Sequence, residues 1–197
     1  IKKLQSINST LYKDAIFTQF HPSYTYQDFI EGIKPVGIVG GNLDLKVING
    51  TFKDFCIRVK KENEKYYSEH YEGHKTDAEK NITYENWPQY FFVVDEINRG
   101  NLSNIFGETF TLLEYRDYDF SGEYTKPSSA LVSTALSRVI ETVDNNEELI
   151  YKNINDRAFF GIPFNIHFIG IMNDVDRSID PFDLALRRRF KWVPMFC

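Results

Sequence analysis

The stretch Tyr90-Phe-Phe-Val-Val-Asp-Glu-Ile-Asn-Arg99 decides the fold. Five apolar or aromatic residues run directly into Asp95 and Glu96. A strand covered on both faces is apolar at every position, whereas a half-exposed strand alternates. Such a strand sits inside a parallel sheet, and in an open α/β sheet the ligand crevice lies beyond the carboxyl ends of the strands. Two carboxylates at that edge can hold Mg²⁺ and polarise a water, which nucleotide hydrolysis requires. The plainer reading of the same residues is a strand end whose acids pair with Arg99.

A second stretch shifts the balance. Asn165-Ile-His-Phe-Ile-Gly-Ile171 reads as another buried strand, and it too ends in polar residues, Asn173, Asp174 and Asp176. An Asn beyond a strand edge can orient a water without altering its charge, and an Asp can hold that Asn or draw on the water's proton. The third element is Ala185-Leu-Arg-Arg-Arg-Phe190. Three consecutive arginines commonly form a solvated face. Beside a hydrolytic edge, the planar and permanently charged guanidinium can neutralise a departing phosphate. Consecutive helical residues point about 100° apart, so the three cannot all face one phosphate and at least one serves packing or another ligand.

The flanking sequence supplies the remaining elements. Ile16–Phe20 reads as a short strand stopped by His21-Pro22, and Ser23 or Thr25 can cap a helix with Phe29 and Ile30 on its buried side. Gly37, Gly40 and Gly41 mark loops, and Asn49-Gly50 carries a two-residue hairpin signal. Phe52, Phe55, Cys56 and Val59 follow helical spacing up to Lys61, and the polar residues 62–88 read as an insertion or exposed loop. Asn101 can cap a helix with the apolar face Leu102, Ile105, Phe106, Phe110 and Leu113, interrupted by Gly107. Residues 116–160 read as a second insertion around a helix near Ala130–Val143, and Lys191–Phe196 as a last strand.

Composition bounds the rest. The 197 residues suit one domain, and 42% hydrophobic with 26% charged residues is a globular profile. The 17 Phe and 12 Tyr call for a ring-rich core. A net charge of -5 argues against a large basic surface for nucleic acid. Cys56 and Cys197 make neither a disulfide framework nor a metal set, which fits a cytoplasmic setting. No apolar run reaches membrane-spanning length. His70 and His74 are four apart, but the intervening Gly73 disfavours the helix that a zinc pair would need. His21 and His167 read as structural.

With Phe20-His-Pro-Ser-Tyr-Thr-Tyr-Gln-Asp-Phe29, these motifs resemble the AAA+ module of the McrB family, the nucleotide-driven subunits of methylcytosine-specific restriction systems. Asp95-Glu-Ile-Asn-Arg-Gly-Asn101 with Ile105-Phe-Gly-Glu108 resembles its Walker B strand and following helix. Ile169–Ile179 resembles its M-N-T-x-D-R-S signature, and Asp183–Phe190 its D-x-A-L-R-R-R-F. The resemblance implies an α/β fold: a partial P-loop NTPase (AAA+) three-layer sandwich with a mostly parallel central sheet. Its first strand and C-terminal lid would be absent, so that residues 1–197 form an incomplete nucleotide-hydrolase core read as an excerpt of something longer.

By position, the resemblance implies that Asp95 supports Mg²⁺ and Glu96 activates the attacking water. Asn173 places that water with Asp176 assisting, and Arg188, or failing that Arg189, is a finger inserted into a neighbouring subunit's site. It further implies GTP or ATP as substrate, a homo-oligomeric ring (a hexamer), an McrC-like nuclease partner, DNA engaged through other domains, and no membrane. Asp174 and Val175 depart from the pattern, standing where Thr and a small residue are usual. No Gly-x-x-x-x-Gly-Lys-Ser/Thr loop is present, which predicts weak or no nucleotide binding and poor solubility for this stretch alone. Three other readings remain: a MoxR- or dynein-related ATPase that remodels protein complexes, a truncated non-catalytic relict, and a Mg²⁺-dependent nuclease using Asp95, Glu96 and Glu108.

Overall fold

The computed structural model describes residues 11–71, 87–114, 152–154, 157–172, 187 and 189–195. In chain order the elements are β1 (Tyr12–Gln19), α1 (Tyr26–Phe29), β2 (Glu31–Val39), β3 (Asn42–Asn49), α2 (Thr51–Tyr71) and β4 (Gln89–Asp95). A 3₁₀ turn (Ile97–Arg99), α3 (Leu102–Phe106), a second 3₁₀ turn (Gly107–Phe110) and α4 (Thr111–Glu114) follow, then β5 (Lys152–Ile154), β6 (Arg157–Phe159) and β7 (Ile166–Gly170).

The expected parallel sheet is present, in the order β1-β4-β7. Its central strand is β4, and every residue from Gln89 to Val94 is buried, as a strand with a neighbour on each side demands. Ile16, Phe92 and Phe168 share one rung and face the helices. There Phe29 stacks on Phe52 with ring centroids 4.7 Å apart, and it meets Phe92 edge-on at 5.9 Å and Phe106 at 4.7 Å. Phe29, Phe52, Phe92, Phe106 and Phe168 thus form one interlocked set of rings. The next rung, Phe17, Val93 and Ile169, faces the other way; Val93 is buried, but Phe17 is 68% and Ile169 41% exposed.

The capping expectation at Thr25 holds: the Asp28 carboxylate accepts from the Thr25 backbone N–H at 3.1 Å and from its hydroxyl at 2.7 Å. The hairpin expectation at Asn49-Gly50 does not. The turn lies at Gly40-Gly41, both at positive φ, and joins β2 to β3. Gly50 instead donates its N–H to the Ile30 carbonyl at 2.6 Å, where a Cβ would come within 2.3 Å of the Phe29 backbone. The hairpin is thus set between α1 and α2, leaving and rejoining the helical layer at one point.

That hairpin is two-sided. Its register puts Ile33, Pro35, Ile38, Leu43, Leu45 and Val47 on one face, because a bulge at Val36 restores the apolar phase. Ile38 is 74% and Leu43 60% exposed, so the apolar face points to solvent. Its base is held by an ion pair between Lys53 of α2 and Glu31 of β2, whose side chains are 1% and 2% exposed.

Three other expectations are corrected. The loop read over residues 62–88 is helix as far as Tyr71, and Trp87 is buried. In the sequence the apolar stripe of α2 ends because its next inward position is Asn63, whose amide pairs reciprocally with Asn165 at 2.9 and 2.7 Å and accepts from Trp87 Nε1 at 3.0 Å. A satisfied buried amide continues the stripe without being apolar. The helix read from Leu102 to Leu113 is broken at Gly107, which adopts φ +52. Residues 191–195, read as a strand, form none; Val193 is 71% and Met195 90% exposed, and an apolar run gains no strand structure without a hydrogen-bonding neighbour. The helix expected near 130–143 lies outside the described residues.

Candidate active site

The parallel sheet brings the carboxyl ends of β1, β4 and β7 to one edge. Phe20 N–H donates to the Asp95 carbonyl at 3.0 Å, continuing the β1–β4 ladder past its last rung. On the other side, Ile171 N–H donates to Val94 O at 2.8 Å and Ile97 N–H donates to Ile171 O at 3.0 Å. Gly170 permits this seat, since a Cβ there would stand 2.6 Å from Ile97 Cδ1. The chain leaving β7 toward Asn173 therefore starts beside the Asp95-Glu96 pair. Asn173, Asp176 and Arg188 themselves lie outside the described residues.

Asp95 ends β4 and is exposed. One carboxylate oxygen, Oδ1, accepts the Glu96 N–H at 3.0 Å, which fixes the group at the edge and leaves Oδ2 for another ligand. An exposed, oriented, hard oxygen donor at a strand end suits Mg²⁺, so the residues present fit that ion.

Glu96 is half-buried and sits at φ 50, ψ 42, the left-handed region. It is the sole non-glycine residue with positive φ among those described. Such a backbone costs an L-residue about 1–2 kcal/mol and persists where the surroundings impose it. Here the Phe20–Asp95 bond on one side and the Ile97–Ile171 bond on the other impose it. The strand ends, the chain reverses its twist at Glu96, and the 3₁₀ turn begins. The Glu96 carboxylate receives Arg99 Nε at 3.1 Å, so the plainer pairing is also present.

Two arginines of the triplet pack on rings. The Arg187 guanidinium lies 5.6 Å from the Trp192 ring, and the Arg187 carbonyl accepts from Trp192 Nε1 at 2.9 Å. The Arg189 guanidinium lies 5.6 Å from the Phe110 ring within the same chain. His167 is structural as expected: Nε2 lies 2.7 Å from Gln89 Oε1 and the ring stacks on Phe91 at 5.0 Å. His70 stacks on Tyr66 at 4.1 Å and places Nδ1 2.9 Å from the Tyr66 carbonyl. Among the described residues no three His, Cys, Asp or Glu side chains cluster as a metal set, and no helix is long and apolar enough to cross a membrane.

Sequence reasoning found the carboxylate pair but missed the strained backbone beneath it. Gly or Asn at position 96 would have signalled a left-handed residue; Glu gives no such cue.

One protein family and two curated relatives match this chain. The family described as AAA domain (dynein-related subfamily) matches residues 5–190. The Type IV methyl-directed restriction enzyme EcoKMcrB subunit of Escherichia coli (strain K12) is 34% identical over 176 residues, 89% of this chain and 27% of that subunit. The Type II restriction enzyme BsuMI component YdiS of Bacillus subtilis (strain 168) is 25% identical over 183 residues, 90% of this chain and 47% of that component. The chain thus spans under half the length of either curated relative. The likeness to the McrB family read from the motifs is borne out.

Proposed function

The chain belongs to the AAA domain family, dynein-related subfamily, and from that premise we propose that it is the hydrolytic core of a Mg²⁺-dependent GTPase or ATPase in a DNA restriction system. The observation that carries the reading is the placement of Asp95 and Glu96 at the end of a buried parallel strand, between Val94 and Ile97, which both hydrogen-bond Ile171 at the exit of β7. In this reading Glu96 takes the proton of the attacking water. Asn173 orients that water and Asp176 steadies Asn173. Asp95 would hold Mg²⁺, which when bound neutralises phosphate charge. Arg188 reaches a neighbouring subunit in a homo-oligomeric ring, taken as a hexamer. Packing of Arg189 on Phe110 supports that choice between the two arginines. The ring works with an McrC-like nuclease, and other domains of the full protein engage DNA in the cytoplasm for phage defence.

Both curated relatives are restriction components, which favours the DNA-directed reading. The dynein-related family description favours a second one, an ATPase that remodels protein complexes. Residues 1–197 form a single core in either case, with one insertion at 116–160 and any insertion within 62–88 confined to the stretch after α2 ends at Tyr71. The test is Glu96→Gln in the full-length protein, measured for nucleotide binding and turnover. Binding is retained and turnover falls at least a hundredfold; wild-type turnover would remove Glu96 from the reaction. Stimulation of the wild-type rate by DNA with a partner nuclease separates the two readings.

A further inference from the structure

We propose that Arg99 is a positioning residue that fixes the rotamer of Glu96 and selects which carboxylate oxygen faces the attacking water. The inference rests on the hydrolytic reading of Glu96 given above.

Three features of the 3₁₀ turn carry it. Arg99 Nε lies 3.1 Å from Glu96 Oε2, within hydrogen-bond range for a charge-assisted pair. Arg99 N–H also donates to the Glu96 carbonyl at 2.9 Å, so main chain and side chain of Arg99 both close on the same residue. The turn is anchored through Ile97 to Ile171, so Arg99 is mounted on the element that follows β4 and is bonded to the exit of β7.

The pair lies at the surface, with Arg99 45% and Glu96 21% exposed, so its worth for global stability is small. Its worth for geometry is larger. A free glutamate side chain explores three torsions, whereas a general base must hold one oxygen within about 2.6–3.2 Å of the proton it takes. With Oε2 held by Arg99, Oε1 is the oxygen left to take the water's proton. The left-handed backbone sets the direction in which the side chain leaves, and Arg99 sets where it ends.

The experiment uses the full-length protein, with steady-state hydrolysis of GTP and ATP in Mg²⁺ and equilibrium binding of a non-hydrolysable analogue. Arg99→Ala lowers kcat about tenfold or more while KM and analogue affinity stay within twofold, because a misdirected base slows chemistry without touching binding. Arg99→Lys, which keeps a cationic donor, recovers part of the loss. Adding Arg99→Ala to Glu96→Gln causes no further loss, since there is no base left to aim. Wild-type kcat in Arg99→Ala overturns the proposal, as does a loss confined to KM, or an Arg99→Lys variant no better than Ala. Should Arg99→Ala fail to fold, the kcat and KM of Arg99→Lys decide: an unchanged kcat overturns the assignment. If Glu96→Gln retains wild-type turnover, the hydrolytic reading itself falls. If Glu96→Gln is dead while Arg99→Ala is normal, only the Arg99 assignment falls.

Discussion

Lys53 and Glu31 form an ion pair almost wholly out of water, tying the first turn of α2 to the first residue of β2. Glu31 Oε1 is buried with no hydrogen-bond partner among the described residues. The pair therefore fastens the exposed hairpin at some cost in desolvation.

Removing one partner strands the other charge. Glu31→Ala or Lys53→Met should each destabilise the protein by about 3–5 kcal/mol in denaturant unfolding. Glu31→Leu combined with Lys53→Met should recover most of that loss, because two apolar side chains leave no orphaned charge. Single variants costing under about 1 kcal/mol would show the pair to be dispensable.

Gly107 gives a sign reversal. In a regular helix, replacing Gly by Ala stabilises by about 1 kcal/mol. At φ +52, with the Tyr26 ring 3.2 Å from the position a Cβ would take, Gly107→Ala should instead destabilise by about 1–2 kcal/mol. A rise in melting temperature would contradict the break in the helix.

Tyr90 sets an alkaline limit. Burial, reinforced by Glu62, pushes its hydroxyl up to about 12 from 10.0. The folded chain thus keeps a proton that the unfolded chain gives up. The contribution is whole below pH 10 and is lost as pH rises toward 12. Tyr90→Phe should flatten the fall in stability across that window; an unchanged fall would place the titration elsewhere.

The apolar hairpin face should govern solubility. Ile38→Lys with Leu43→Glu, opposite each other in register, should raise the concentration at which the protein stays monodisperse and shift its unfolding by less than about 0.5 kcal/mol. Light scattering that shows no change would mean that self-association proceeds through another surface, such as that around Phe17 and Ile169.

Much of this was readable from residues alone, for identifiable reasons. The all-apolar run of β4 announces a central parallel strand because only double-sided coverage tolerates it. The cap at Asn101 was readable because a side-chain oxygen before an apolar face has few other uses; it accepts Asn104 N–H at 3.0 Å. The errors have physical causes too. Asn49-Gly50 carries hairpin chemistry but serves a close backbone crossing, which only three-dimensional packing reveals. Asn63 hid ten further residues of α2 because its partner, Asn165, is 102 positions away. Glu96 hid its backbone strain because the hydrogen bonds that force it come from β1 and β7, not from its sequence neighbours.

The bond between Gly50 and Ile30 means that the hairpin departs and returns through one gateway. Chain closure is settled at that gateway, so the number of residues beyond it is free to vary at little cost to the ring-packed interior. An appendage mounted in this way can be lengthened or trimmed while the carboxyl ends of β1, β4 and β7 keep their places.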